Sequence, residues 1–179
     1  MPMMSFSCRR EQLMSGIKIE TTRNWKYDHI QQMVKAIELG QPLKCWWEPR
    51  TKEKEKLFDA KIEMIEPIAF LPLSMDDPRP WPYKVTMLPQ NDSQIMLLGD
   101  IVHMLDIEEA HTYMKNEGFD TMQSFIETLS GKNPNGIMGI PLIRIRFKNP
   151  NTPKYWIPNP VDAPFVPSPN WDDAIQGGQ

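Results

Sequence analysis

The sequence S-G-I-K-I-E-T-T-R-N-W, residues 15–25, places charged and hydroxyl side chains in a β-branched segment directly after a glycine. β-branched residues favour a strand, here predicted over 17–23. Gly16 tolerates the left-handed conformation that commonly ends a helix, which predicts a short helix before it. In a regular strand Lys18 and Thr21 would point to opposite faces. If both serve one site, a bulge or bend must interrupt the strand.

Strand alternation also assigns the other side chains of this segment to faces. One face would carry Lys18 with Glu20 and Thr22, and the other Ile17, Ile19, Thr21 and Arg23. The polar character of the first face has two explanations: cross-strand pairing on a sheet surface, or a functional site. The rest of the chain has to decide between them.

Length and composition predict one globular domain with an appendage. A chain of 179 residues can bury the core of one domain, and 40% hydrophobic with 24% charged residues is typical of a globular protein.

Residues 1–10 lack the apolar region of a signal peptide, and no run of about 18 apolar residues occurs. Cys8 and Cys45 form neither a chelating pair nor a disulfide framework. We therefore expect a cytoplasmic protein with reduced thiols, no membrane segment, no metal and no cofactor.

The net charge of −3 is unevenly distributed. Residues 1–56 hold 11 Lys and Arg against 7 Asp and Glu, which gives +4, whereas residues 57–179 hold 9 against 16, which gives −7. Strong sequence-independent binding of nucleic acid depends on many Lys and Arg side chains at phosphates. The charge distribution argues against such binding and permits a local site for a small anionic or single-stranded ligand.

Hydrophobic periodicity predicts the remaining elements and an α+β fold. Strands are predicted over 3–6, 43–47, 59–71, 83–88, 94–98 and 142–147. Helices are predicted over 28–39, 107–115 and 121–129, with capping boxes that start at Asp28, Asp106 and Asp120. The charge run 51–56 and the proline-containing segment 74–82 are predicted as loops, the latter because proline donates no ladder hydrogen bond.

Residues 148–179 contain 7 of the 18 prolines, interleaved with Tyr155, Trp156, Phe165 and Trp171. This composition excludes a helix or a central strand, while the aromatic side chains argue against a fully solvated linker. We predict a Pro-rich extended C-terminal arm packed on a domain over 1–147. The alternative is a peptide over 155–171 that binds a protein partner.

Two blocks of the sequence resemble the ASCH family. The first, S-F-S-C-R-R-E-Q-L-M-S-G-I-K-I-E-T-T-R at 5–23, is similar to a short helix that ends in G-x-K-x-x-T-x-R, with matching residues Gly16, Lys18, Thr21 and Arg23. The second, M-K-N-E-G-F-D-T-M-Q-S-F-I-E-T-L at 114–129, is similar to the family's acidic-Gly-aromatic segment, and 39–47 looks like its glycine-led strand. The resemblance covers most of 5–147, outside an insertion at 74–92. It implies a PUA-like small β-barrel with flanking helices, whose relatives bind RNA or modified nucleobases.

One branch of that family, the bacterial N4-acetylcytidine amidohydrolases, is similar at three positions that matter for chemistry. There a lysine, a threonine three residues later and a glutamate in the late helical segment act together, and the matching residues are Lys18, Thr21 and Glu117. The resemblance implies that these are catalytic, with Arg23 in support. The added helix, insertion and tail depart from those compact hydrolases, which leaves the substrate open, and they would suit a phage or mobile-element protein.

The three side chains suit amide cleavage in chemical terms. A threonine hydroxyl is a weak nucleophile that needs an adjacent base, and a lysine is such a base only if its pKa falls from about 10.4 towards neutrality. Arg23 is a plausible neighbour to lower that pKa, whereas Glu117 would orient the lysine or relay a proton and would also raise its pKa. The sequence leaves this conflict open.

Several aromatic and imidazole side chains are weaker candidates. Trp46 and Trp47 are adjacent in a predicted strand and point oppositely, so at most one of them enters a given pocket. Trp46 and Trp25 are our candidates for stacking on a base. The three histidines share no metal-binding spacing: His29, His103 and His111.

Three functions therefore stay open from sequence. The first is hydrolysis of an amide on an acylated nucleobase or nucleoside. The second is a non-catalytic module that binds a modified nucleoside or single-stranded RNA in the same cleft. The third is a protein that acts through a partner bound by 155–171. A nucleobase-directed cleft accounts for the first two.

Overall fold

The computed structural model describes residues 2–24, 26–48, 50–87, 98–133 and 136–153. Trp25, the end of the insertion at 88–92 and the peptide 155–171 therefore lie outside the described residues.

The described chain has a mixed α+β architecture with few helices. In chain order the elements are β1 (Met3–Phe6), α1 (Arg10–Met14), β2 (Glu20–Asn24), α2 (Tyr27–Glu38), β3 (Leu43–Trp47), β4 (Glu55–Pro72), β5 (Pro80–Met87), β6 (Leu98–Met104), α3 (Ile107–Asn116), α4 (Met122–Gly131) and β7 (Leu142–Lys148). The predicted α+β class is thus confirmed.

The seven strands form one sheet that does not close on itself among the described residues. Its main path runs β1-β3-β4-β5-β6, and β7 pairs with both β4 and β2. All pairs are antiparallel except β1 with β3. The 18-residue β4 makes this possible, because its first part pairs with β3, its middle with β7 and its end with β5. At the end of this arrangement β2 has one partner, β7, and one open edge.

Two apolar clusters lie on either side of β7. One packs α3 and α4 against β5 and the end of β4, around Tyr113 and Phe125. The other packs α2, β1 and β3 against the opposite face of β7, which contributes Ile143, Ile145 and Phe147. Strand alternation places Arg144 on the face covered by α3. That face carries the candidate site.

Of the three predicted capping boxes, the structure contains one. Asp106 and Glu109 form the predicted reciprocal box at the start of α3. The other two predictions are wrong: α2 begins at Tyr27, so Asp28 lies inside its first turn, and the hydroxyl of Thr121, not Asp120, caps α4. Thr121 takes that position because its backbone is extended immediately before the first helical residue.

The prediction of a loop up to residue 82 is also wrong, because β5 begins at Pro80. The carbonyl of Pro82 accepts a hydrogen bond from the amide of Leu105, on the side away from β4. Since a strand residue directs its nitrogen and its carbonyl to the same side, the ladder with β4 does not need the missing N–H of Pro82. The partner strand β6 covers Leu98–Met104, whereas the predicted 94–97 lies outside the described residues.

Residues after β7 pack on the domain where the arm was predicted to start. The side-chain amide of Asn149, which is buried, donates to the carbonyls of Leu13 and Lys18 at 2.8 and 3.1 Å. Thr152 donates its hydroxyl to the carbonyl of Gly16 at 2.8 Å. These bonds hold the turn between α1 and β2 in place.

Replacing Gly16 with alanine is expected to reduce the free energy of unfolding by about 2 kcal/mol. Gly16 has a φ of 80°, and an added Cβ would lie 2.3 Å from the backbone nitrogen of Thr152. The matched control is Gly40→Ala, which has a similar φ of 62° but open space around the position. We expect about 1 kcal/mol there, from backbone strain alone. Equal losses in urea denaturation of the two variants would contradict the close contact with Thr152.

Candidate active site

A bend between α1 and β2 brings Lys18 towards α3. Regular strand structure begins only at Glu20, and the amides of Lys18 and Ile19 bond to the carbonyls of Gln12 and Asn116, both at 2.9 Å. The carbonyl of Ile19 already accepts from Phe147 in β7 at 2.9 Å. The chain therefore leaves α1, touches α3 and joins the sheet within three residues.

The central contact is a buried ion pair between Lys18 and Glu117. The Lys18 Nζ lies 2.6 Å from Glu117 Oε2, although the residues are 99 positions apart, and they are 2% and 3% exposed. Nζ also donates to the backbone carbonyl of Glu117 at 2.6 Å. Glu117 is the C-cap residue of α3, and Gly118 after it has a φ of 83°. An ammonium has three N–H donors, so one is left without an acceptor among the described residues.

Two residues that the sequence analysis did not assign to the site complete the surroundings of the carboxylate. The Thr22 hydroxyl donates to Glu117 Oε1 at 2.5 Å and accepts a bond from the Tyr113 hydroxyl. Since Thr22 has one hydroxyl proton, donation to Glu117 makes Tyr113 the donor in the second bond. Signals existed in the sequence: Thr22 shares the predicted strand face of Lys18, and Tyr113 lies one helical turn before Glu117.

Thr21 differs from Thr22 in its surroundings. Its register partner is Ile145, so it points to the opposite face of β2, and it is 3% exposed. Its hydroxyl makes no hydrogen bond to any described residue, whereas that of Thr22 makes two. Thr21 is therefore the hydroxyl of this pair that has no hydrogen-bond partner within the described chain.

Arg23 lies beside these groups on the wall of the site. One of its terminal nitrogens donates to the carbonyl of Ser5, and the guanidinium carbon lies 5.4 Å from the centre of the Phe6 ring. The guanidinium is thus held between β1 and β2 as a fixed positive charge.

A small cavity joins the predicted side chains. It is bounded by the end of β1, by β2, by Glu117 and by α4, and offers about 20 Å³ to the centre of a water molecule. Such a volume holds about one water and no nucleobase. Its lining comprises Phe6, Ser7, Cys8, Lys18, Thr21, Thr22, Arg23, Glu117, Phe119, Phe125, Thr128, Leu129 and Lys132. Lys18, Thr21, Glu117 and Arg23 therefore all line this cavity.

A second cavity of about 290 Å³ adjoins the first and opens to the surface. Both are lined by Thr22, Arg23, Leu129 and Lys132, so they are neighbours, and we refer to the two together as the cleft. The larger cavity is of a size that suits a small organic ligand, and the smaller one is its inner end.

Burial decides the electrostatic conflict that the sequence left open. Desolvation of the ammonium lowers the pKa of Lys18 from its ordinary value of 10.5, and the nearby Glu117 carboxylate opposes this without reversing it. Arg23 adds a smaller lowering effect on the same pKa. Burial raises the pKa of Tyr113 well above 10.0, so its hydroxyl stays a donor to Thr22. The lysine therefore releases its proton more easily than a lysine in water.

A second buried charge cluster supports the strand that carries the site. Glu20, which is fully buried, accepts from Arg144 at 2.7 and 3.0 Å, from Arg146 at 2.6 Å and from Asn116 at 3.1 Å. The Arg144 guanidinium also lies 4.5 Å from the Tyr113 ring centre. Arg144 lies on the polar face of the alternating strand β7, and it is 5% exposed because α3 covers that face. This cluster ties β2, β7 and α3 together.

The remaining candidates lie elsewhere or outside the described residues. Trp46 is on β3 and lines neither cavity, and its buried indole N–H has no hydrogen-bond partner in the described chain. Trp25 is not among the described residues. His29 lines the larger cavity.

In the described ranges no group of His, Cys, Asp and Glu side chains is arranged to hold a metal ion, and no described helix is long and apolar enough to span a bilayer.

The arrangement contains the parts of a nucleophilic site: a hydroxyl without a partner, a buried lysine with a lowered pKa, and a carboxylate that fixes the lysine. Comparison of the chain with protein-family models, with curated proteins and with solved structures finds no match in any of the three.

Proposed function

We propose that the cleft hydrolyses the amide of an acylated nucleoside such as N4-acetylcytidine, in a domain of the ASCH type with a PUA-like barrel core. The observation that carries the proposal is the buried contact between Lys18 and Glu117, at the wall of a cavity that also holds the free Thr21 hydroxyl. A purely structural ion pair would not need an adjoining cleft, nor a neighbouring hydroxyl without a hydrogen bond.

In the first chemical step the Thr21 oxygen attacks the acyl carbon of the substrate. The neutral Lys18 amine takes the proton of the hydroxyl, the C–N bond breaks, and the proton passes to the departing amino group of the base. The product of this step is an acetyl ester on Thr21 together with the free nucleoside. The inner cavity has the room for about one water that the next step needs.

In the second step water cleaves the ester. Lys18 accepts a proton from the water, the oxygen attacks the acyl carbon, and the C–O bond to Thr21 breaks with return of the proton to the threonine oxygen. Acetic acid leaves, ionises to acetate by releasing its proton to the solvent, and the hydroxyl is restored. Atoms and charges balance with water as the only co-reactant.

Glu117 and its partners position the lysine. Glu117 accepts one Lys18 hydrogen bond on its carboxylate and another on its backbone carbonyl, so the amine has a single remaining direction for its lone pair or third N–H. Thr22 and Tyr113 fix the second carboxylate oxygen. Arg23 supplies a fixed positive charge for the oxyanion that develops on the acyl oxygen.

The pH dependence of turnover follows from the lowered pKa of Lys18. The neutral amine is the active form, so kcat should rise as the pH passes the lysine pKa in the complex, which lies below 10.5. In Glu117→Gln the charge that raises this pKa is removed, and the rising limb should move to lower pH while the maximal rate falls. A profile from stopped-assay measurements that moves to higher pH in Glu117→Gln would contradict the role of Lys18 as base.

The direct test of the function is release of acetate from N4-acetylcytidine, measured against a panel of other acylated nucleosides. Turnover that requires both Lys18 and Thr21 supports the proposal. Absence of turnover across the panel with the folded wild-type chain would exclude it.

The second candidate is a module that binds a modified nucleoside or single-stranded RNA without turnover. The observation that favours it is the narrow inner cavity, which holds about one water and no nucleobase. Binding of single-stranded RNA with a steep salt dependence and no product would identify it. A protein partner bound by 155–171 stays a prediction, since that peptide lies outside the described residues.

A further inference from the structure

Among the described residues that line the larger cavity, all charged side chains are positive. It is bounded by the end of β2, the start of α2, and the residues at the end of α4. Its described lining consists of Thr22, Arg23, Asn24, Lys26, His29, Leu129, Lys132, Asn133 and Leu142. Three of these side chains are permanent cations, one is a histidine, and none is a carboxylate.

The two lysines of this lining are not neutralised within the described chain. Lys26 forms no ion pair with a described carboxylate, and Lys132 contacts only the Cys8 sulfur, at 3.5 Å. Both are exposed, so their ammonium groups can reach a ligand. In contrast, the buried cations of the neighbouring network are paired: Lys18 with Glu117, and Arg144 with Glu20.

Arg23 connects this cationic lining with the inner cavity. It lines both cavities, together with Lys132, Thr22 and Leu129. A ligand that reaches Thr21 from the surface through this cleft would therefore place the part that is farther from its acyl group among Lys26, His29 and Lys132. In an acylated cytidine that part is the ribose with its 5′ or 3′ oxygen.

We infer that the larger cavity is a phosphate subsite, and that the cleft prefers an acylated nucleotide or an RNA residue to the corresponding free nucleoside. The substrate class rests on the proposed function. Lysine and arginine side chains that converge without a carboxylate attract a phosphate group and form charge-assisted hydrogen bonds with it. A neutral nucleoside would leave three cations of the lining without a counter-charge.

The uneven charge of the whole chain fits a local subsite of this kind. Residues 57–179 carry −7 and repel an extended polyanion, whereas two of the three cations of the cavity, Arg23 and Lys26, belong to the positive first third. One or two phosphates satisfy the site, and no long basic track is needed.

Binding of CMP and of cytidine, measured by calorimetry on the full chain, tests the subsite without any turnover. We expect CMP to bind at least about tenfold more tightly than cytidine, because each charged hydrogen bond to phosphate is worth about this factor. Lys26→Gln and Lys132→Gln should each weaken CMP about tenfold. The matched control is Lys35→Gln, an exposed α2 lysine outside both cavities, which should leave CMP affinity unchanged.

A second arm distinguishes a phosphate monoester from the phosphodiester of RNA. A short single-stranded cytidine oligonucleotide should bind more tightly than CMP if a diester is preferred, and less tightly if a terminal phosphate is required. In either case the loss in the two lysine variants identifies the same subsite. The activity arm compares kcat/KM for N4-acetylcytidine with that for its 5′ and 3′ monophosphates, and the preference for the nucleotide should shrink about tenfold in Lys26→Gln.

The two proposals fail separately. Equal affinities for CMP and cytidine, or CMP affinity that does not respond to Lys26→Gln and Lys132→Gln, overturn the phosphate subsite even if N4-acetylcytidine is turned over. Lysine-dependent CMP binding without hydrolysis of any acylated substrate keeps the subsite and excludes the amidohydrolase.

Discussion

Lys18→Met is expected to lower the free energy of unfolding by about 3–5 kcal/mol and to abolish turnover. The substitution keeps the length of the side chain but leaves the Glu117 carboxylate 3% exposed and without its cation. A buried charge without a partner costs this much because neither water nor an opposite charge replaces the lost contact. Urea denaturation followed by circular dichroism measures the first effect, and acetate release from N4-acetylcytidine the second.

The double variant Lys18→Met/Glu117→Gln separates stability from chemistry. Glutamine keeps an oxygen for the Thr22 hydroxyl, and the pair no longer buries a charge. Most of the lost stability should therefore return, whereas turnover should not, since no base remains. A single Lys18→Met variant as stable as the wild type would contradict a buried ion pair. Activity regained in the double variant would contradict the assignment of Lys18 as base.

Thr21→Val is expected to reduce kcat by about 10³-fold or more while the fold stays intact, because the attacking oxygen is replaced by a methyl group of similar size. The Thr21 hydroxyl has no hydrogen bond within the described chain, so its removal leaves no buried partner unsatisfied. Acetate release and the urea midpoint, measured on the same preparation, check both parts of this expectation.

Thr22→Val is the matched control one position along the strand. It removes the hydroxyl that joins Glu117 and Tyr113, so two buried oxygens lose a partner and stability should fall by about 1–3 kcal/mol. Turnover should fall less than in Thr21→Val, because the nucleophile remains. If Thr22→Val abolishes turnover and Thr21→Val does not, the nucleophile is Thr22 and our assignment is wrong.

Local patterns were enough to predict most elements. The stripe of α2, the capping box of α3 and the alternation of β7 depend on neighbours within a few residues, and the structure has these elements where the sequence predicted them. Predictions failed where a distant contact decided the outcome. Pro82 lies in a strand because its carbonyl accepts from Leu105, more than twenty positions later, and the ladder with β4 on the other side does not need a proline N–H.

In the candidate site, too, short motifs predicted some residues and distant contacts decided the others. Lys18, Thr21 and Glu117 were predicted from short motifs, and the structure brings Lys18 and Glu117 into contact. Thr22 and Tyr113 were missed, since a threonine in a strand and a tyrosine in a helix are ordinary core residues until their hydroxyls are seen to meet. The resemblance to the ASCH family and the barrel it implies stay proposals.

By itself the sequence determined the mixed α+β class, the positions of most helices and strands, and the polar face that Lys18 shares with Thr22, because periodicity and turn residues act over a few positions of chain. Only the tertiary structure decided that Lys18 and Glu117 form one buried pair, that Arg144 lies under α3, and that the two cavities are neighbours. These depend on segments about a hundred positions apart, which pack together only when β7 pairs with β2 and α3 covers the face they share. Burial of that face is what lowers the pKa of Lys18 from its ordinary value of 10.5.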